Sequence, residues 1–259
     1  MRFGIISPTN GLSRYSTLSS LHLVLPQVQI PEYKKFYQER RKVGDTIILD
    51  NGAYEGVHFT AKQLRKAYLY YRPQLVVLPD KFLGGEVSHK MSLMFLSEFS
   101  NRMNCEFMYL PQGTYPTEWW KFAAEVANIA RKAKRLRWIG LPRNMVTHVW
   151  KNKFARIDAA RQIQQCWPHL KVHAFGMANG EIGELRPLEW AGVQSIDSSA
   201  PVWRGWNGFD IRDPKWDRWG RAVDFADEGL EIAASDDLIL RNLEACYVNT
   251  SRLRRSSNP

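Results

Sequence analysis

The sequence predicts an α/β fold, a single (β/α)8 barrel of the TIM type, from three observations. Short apolar runs recur along the chain, each closing on polar or Gly/Pro residues. Stretches with helical spacing separate them, so strand and helix alternate at intervals of roughly 25 to 35 residues, as repeated βαβ units do. The chain has 259 residues, close to the roughly 250 that such a barrel takes.

The strand candidates are LHLVLPQ (21–27), TIILDNGAYEG (46–56), LVVLPDKF (75–82), EFMYLPQG (106–113), RWIGLPRN (137–144), KVHAFGMANG (171–180) and VQSIDSSAP (193–201). Their apolar positions do not alternate cleanly, which fits strands covered on both faces, as in a parallel sheet. An eighth strand is expected at RFGIIS (2–7) or within the C-terminal part. The helix candidates are 31–43, with Pro31 in the first turn; 60–71, with Thr60 as N-cap; 86–103; 116–136; 152–166; and the short PLEWAG (187–192). Helix caps and a first-turn proline support these boundaries. Residues from about 210 to 250 read as a C-terminal extension of one or two helices, ending in the basic tail SRLRRSSNP (251–259). No linker-like segment divides the chain, so one domain over 1–259 is expected. A doubly wound open sheet is the alternative arrangement. In both folds, ligands bind beyond the carboxyl ends of the strands.

Hydrophobic residues make up 44% of the chain and charged residues 24%, ordinary values for a chain that buries a core. The net charge of +10 favours a polyanionic partner, nucleic acid first, with a basic protein that has no such partner as the bland alternative. Cys105, Cys166 and Cys246 are sparse and form no C-x-x-C, which suits a reducing compartment. The N-terminus is too polar for a signal peptide, and no run approaches the roughly 18 apolar residues of a membrane span. A cytoplasmic protein with no membrane partner is expected.

The strand ends carry the chemistry. In order they offer Asp50 with Asn51, Gly52 and Tyr54; Asp80; Gln112 with Gly113; Gly140, Leu141 and Arg143; Phe175 with Gly176; and Asp197 with Ser198 and Ser199. Asp-Asn-Gly and Asp-Ser are also ordinary turn formers, which accounts for part of the pattern. Two facing carboxylates are the usual means of breaking a glycosidic bond, one attacking or stabilising the anomeric carbon and the other moving the proton. A third carboxylate and an amide match the donor and acceptor edge of a purine, and an aromatic on each side can sandwich its ring.

These motifs resemble the tRNA-guanine transglycosylase superfamily, most closely its short, phage-type branch acting on DNA, the DpdA-type DNA 7-deazaguanine transglycosylases. The family's Asp-Ser-Gly-Gly-aromatic hallmark is similar to DNGAYEG (50–56). Its Gln-Gly turn resembles LPQG (110–113), and its Gly-Leu loop resembles IGLPR (139–143). Its Met-Gly-Val-Gly segment, short helix and Gly-Val-Asp-x-Phe-Asp strand resemble the stretch from HAFGMANG through EWAGVQSIDSSAPVWRG. The resemblance spans roughly residues 45 to 210 with the motifs in order.

It implies that Asp197 is the nucleophile at C1′ of the target guanosine and Asp50 the general acid/base. It implies that Asp80, Gln112 with Gly113, and the backbone of Gly140 and Leu141 bind the base edge, with Tyr54 and Phe175 stacking on its faces. Phe175 stands where the family usually has Met. Arg143, Arg204 and Lys81 are candidate phosphate contacts, each readable also as solvated loop charge. Ser198 to Ala200 leave room for a ribose, with Trp203 and Arg204 at the rim.

The partners implied are DNA, with tRNA as the alternative, and a free 7-deazaguanine base, with no cofactor. The zinc cluster C-x-C-x-x-C of the tRNA enzymes is missing after the nucleophile strand, so no structural zinc is expected and DNA is favoured. The GLPRN loop (140–144) lacks the Glu that bacterial relatives hold there, which tilts the incoming base towards a neutral 7-substituent such as 7-cyano. A catalytically silent nucleic-acid-binding barrel and a hydrolase of small nucleosides remain as rival readings. The Trp-rich segment 201–220 is either a nucleic-acid-contacting loop or a cover for the barrel's end, and the ease with which large aromatics bury favours the cover.

Overall fold

The computed structural model describes residues 1–57, 59–178, 181–213 and 236–251. Eight parallel strands form one nearly closed barrel. They are β1 (Arg2–Ile5), β2 (Leu21–Val24), β3 (Thr46–Leu49), β4 (Leu75–Val77), β5 (Glu106–Tyr109), β6 (Leu136–Pro142), β7 (Lys171–Phe175) and β8 (Ser195–Ser198). Ladders run in the order β1-β8-β7-β6-β5-β4-β3-β2. Across the remaining seam, β1 and β2 come close at Gly4, where a Cβ would lie 3.2 Å from the Leu21 carbonyl. Ser19 Oγ spans the same seam, 2.7 Å from the Phe3 carbonyl. The expected eighth strand is thus the first, and the open sheet is not formed.

Helices cover the barrel: α1 (Leu12–Tyr15), α2 (Pro31–Lys42), α3 (Ala61–Tyr71), α4 (Gly85–Phe99), α5 (Pro116–Ala130), α6 (Ala155–Cys166), α7 (Leu185–Trp190), α8 (Ala200–Trp206) and α9 (Asp236–Ser251). Local chemistry fixes their ends. Thr60 and Gln63 form a reciprocal capping box at the start of α3, and Pro31 and Pro116 sit in the first turns of α2 and α5, where a missing N–H costs nothing. The strands are apolar on both faces because side chains point alternately into the barrel and under the helices. Phe107 packs on Phe95 of α4, while Ser195 and Asp197 of β8 share the other face, as the two-residue period requires.

One segment departs from the sequence reading. Residues after Asp197 form helix α8 rather than a turn and open loop. Pro201 occupies its first turn, a position that proline favours. The helix packs on α9 so closely that a Cβ on Gly205 would lie 2.7 Å from the Ile239 backbone. Asn242 of α9 ties the junction, donating from Nδ2 to the Pro201 and Phe209 carbonyls and accepting from the Ile211 amide. Trp206 is half-buried against the core, as a cover would be. The rest of the C-terminal extension, 214–235, and the tail 252–259 lie outside the described residues, and with them Trp216 and Trp219.

Candidate active site

Because all strands are parallel, six consecutive strand ends place Asp50, Asp80, Gln112, Gly140, Phe175 and Asp197 around one rim. Asp50 follows β3 directly and its amide still donates to the Val24 carbonyl, so the strand's ladder orients it. Gly52 takes φ +73, a left-handed turn that bends the chain back over the mouth. The Gly52 amide reaches Asp50 Oδ2 at 3.3 Å. Asp50 is buried. Burial, then the neighbouring carboxylates of Glu55 and Asp80, hold its carboxyl well above the usual carboxylate range.

Asp80, Asn51, Gln112 and Asn144 form one buried network. Asn51 Nδ2 donates to Asp80 Oδ1 at 2.5 Å and to the Leu78 carbonyl at 2.6 Å. Gln112 Nε2 donates to Asp80 Oδ2 at 2.5 Å. Gln112 Oε1 accepts from the Leu83 amide and Asn144 Nδ2. Two side chains expected to read a base edge are thus fixed to each other by groups that a base can also engage. Gly113 sits against α5, where a Cβ would lie 3.0 Å from the Trp119 nitrogen.

Gly140 lets Phe175 lie across β6: a Cβ there would meet Phe175 Cε2 at 2.7 Å. Leu141 is fully buried, and its carbonyl accepts from Arg156. Arg156, wholly buried in α6, also donates to the Phe175 carbonyl at 2.8 Å and forms a two-toothed ion pair with Glu184. Glu184 in turn accepts from the Ala178 amide. One cation therefore braces the loops after β6 and β7.

Asp197 is buried at the end of β8. His173 Nε2 lies 2.8 Å from its Oδ1, and His173 Nδ1 lies 2.8 Å from Ser195 Oγ. Glu55, an exposed residue of the DNGAYEG turn, has its carboxyl raised by desolvation and by Asp197, opposed by Gln27 and Arg143. It is the group within electrostatic reach of both Asp50 and Asp197.

Tyr54 is 58% exposed. Arg143 stands 4.6 Å from its ring centroid and donates to its hydroxyl, and Phe82 and His148 continue an aromatic row along the rim. Lys81 is exposed beside it. Arg204 corrects the sequence reading. Expected at the rim as a phosphate contact, it is 2% exposed and donates to the Ile211 carbonyl beneath α9, because helix α8 turns it inward. Burial lowers its pKa. Ala200, expected to leave room for a ribose, is also fully buried.

The sequence reading missed His173, Ser195, Asn144, Glu55 and the Arg156–Glu184 pair. His173 left one signal, a titratable side chain within an apolar strand two residues before Phe175. The ion pair left none, since its partners are 28 residues apart and join helices.

No protein-family model matches the sequence, and no curated protein matches it. A putative fructose-1,6-biphosphate aldolase from Coccidioides immitis aligns with a TM-score of 0.53 at 10% identity, over 98% of this chain and 87% of that one. QR15, an aldolase, aligns with a TM-score of 0.50 at 14% identity, over 77% and 89%. At such identities the likeness is one of fold, a TIM-type barrel, and the chemistry rests on the rim side chains.

Proposed function

We propose that this chain is an enzyme, a guanine transglycosylase that exchanges guanine in DNA for a 7-deazaguanine base. The observation that carries the reading is the order of the rim: a buried acid with a raised pKa, an interlocked carboxylate–amide pair, a glycine under an aromatic, and a carboxylate bonded from within the barrel, on successive strands. The motif resemblance and the +10 charge agree with it.

In this reading the target guanosine is turned out of the duplex, at a cost of about a few kcal/mol. An oxygen of Asp197 attacks C1′ and forms an ester as the C1′–N9 bond breaks. The bond pair leaves with guanine, which takes a proton from Asp50. The incoming base then gives its N9 proton to Asp50, and N9 attacks C1′ and releases the Asp197 carboxylate. Two displacements retain configuration. The raised pKa of Asp50 keeps the acid form available for the first proton transfer. Asp80 and Gln112 read the base edge, and Phe175 and Tyr54 offer ring faces.

The test is incubation with labelled guanine and either duplex DNA or tRNA, followed by denaturing electrophoresis for a protein–nucleic acid adduct. Label enters DNA and an adduct forms with the parent protein, and Asp197→Asn forms neither. Label in tRNA alone makes the substrate RNA. Salt-dependent binding without label in either makes the barrel a binding module.

A further inference from the structure

We propose that His173, seated by Ser195, is the positioning residue for Asp197; this rests on the reading of Asp197 as the nucleophile. His173 and Ser195 are register partners on β7 and β8, and Ser195 and Asp197 are two apart on one strand, so all three side chains point into the barrel. None is more than 3% exposed. The carboxylate of Asp197 only accepts hydrogen bonds, so Nε2 of His173 carries the hydrogen at the 2.8 Å contact. In the neutral imidazole Nδ1 is then the acceptor of the Ser195 hydroxyl, also at 2.8 Å. The Asp197 carboxylate thus selects the ring tautomer, and Ser195, whose hydroxyl can donate or accept, satisfies the other ring nitrogen and seats the ring. The edge of Phe175, with ring centroids 4.5 Å apart, fixes the imidazole plane.

The consequence concerns the two oxygens of Asp197. Oδ1 is held from inside the barrel, and among the described residues no hydrogen bond is made to Oδ2. The oxygens are thereby divided into one that anchors and one that attacks C1′. The same Nε2–H bond stabilises the carboxylate when the incoming base expels it from the ester. Gly4 supports the arrangement from β1, where a Cβ would press to 3.4 Å on Asp197 Cβ and 3.2 Å on the Leu21 carbonyl.

The experiment compares steady-state base exchange by the full chain and its His173→Leu, His173→Gln and Ser195→Ala variants, with thermal unfolding as a check on folding. Losing the anchor misplaces the nucleophile, so His173→Leu lowers kcat about 100-fold and leaves KM for the free base within about twofold, since the base edge is untouched. Gln, whose amide can donate to Oδ1, recovers about tenfold of that loss, and Ser195→Ala costs about tenfold. In the parent protein, 15N spectra of the imidazoles show the Nε2–H tautomer for the signal that vanishes in His173→Gln. Unchanged kcat in His173→Leu, a loss confined to KM, a Gln variant no better than Leu, or an Nδ1–H tautomer overturns the proposal. Should His173→Leu fail to fold, Ser195→Ala and the spectra decide it. Absence of exchange by the parent protein overturns the proposed function, and this role with it, and is a different result from exchange that ignores His173.

Discussion

Where the strands of the barrel begin, charged and polar side chains are matched to one another. Arg2 donates to Thr46. Lys171 pairs with Glu106, which also accepts from the Trp138 indole. Arg40 and His22 both hold Asp45, and Gln74 bonds the Asp45 carbonyl and the Ile47 amide. Several of these groups ring a cavity of about 210 Å³. Where the strands end, Asp50 lies within the field of Glu55 and Asp80, and Glu55 within that of Asp197. One end satisfies its charges; at the other, burial first and then neighbouring carboxylates raise the pKa of Asp50 and Glu55. Crowding of this kind costs stability and is the usual mark of a site kept for chemistry.

The sharpest way to break this contrast is Asp50→Asn. On the proposed reading, in which Asp50 is the general acid/base, base exchange should fall about 10²- to 10⁴-fold, the usual contribution of such a group. Stability should move the other way. The folded-state pKa of Asp50 lies above its unfolded value of about 3.9, so the native state loses stability as pH rises through that value towards the folded pKa. The amide escapes this loss. Thermal unfolding from pH 4 to 8 should show a variant that is increasingly the more stable, by about 2–4 °C for each kcal/mol recovered. A variant less stable than the parent at pH 8 would mean that Asp50 is satisfied as a carboxylate.

Arg156→Met should cost about 3–5 kcal/mol in denaturant unfolding, because it strands a buried Glu184. Arg156→Met combined with Glu184→Leu should recover much of that, yet base exchange should stay impaired, since the Leu141 and Phe175 carbonyls have lost their common donor. Full recovery of exchange in the double variant would show that the brace serves stability alone.

His22 offers the opposite pH sense at the strand-start end. Burial lowers its pKa, against the pull of Asp45. Stability linked to His22 is therefore present above its unfolded pKa of about 6.5 and is lost as pH falls below it. His22→Leu should flatten that decline between pH 6.5 and 5 in thermal unfolding; an unchanged slope would place the titration elsewhere.

The barrel itself was legible because strand and helix periods and caps are local signals, as at Thr60 and Pro116. The rim positions were legible because parallel strands send all their carboxyl ends one way. Three kinds of feature were not. Helix α8 was hidden because Ser198, Ser199, Ala200 and Pro201 read equally as a turn or as a helix start, and the packing of Gly205 on Ile239 decides between them. Arg204 was misplaced for the same reason, since a helix turn rather than a loop sets its direction. His173, Ser195 and Asp197 meet through a strand register, which composition does not carry.

The smallest effect tests the matched end of the barrel. Lys171→Met removes one partner of a pair whose side chains are 47% and 40% exposed. Such pairs contribute about 0.2–1 kcal/mol, and Glu106 keeps the Trp138 N–H at 2.5 Å, so its carboxylate is not stranded. Unfolding free energy should change by less than about 1 kcal/mol, and base exchange should match the parent, because Lys171 opens β7 while Phe175 closes it. The substitution removes a full charge from the same strand that bears His173. If exchange nevertheless falls, the strand-start end is coupled to Asp197 through Ser195, which lines the cavity beside Lys171, and the separation of a stabilising end from a chemical end would have to be abandoned.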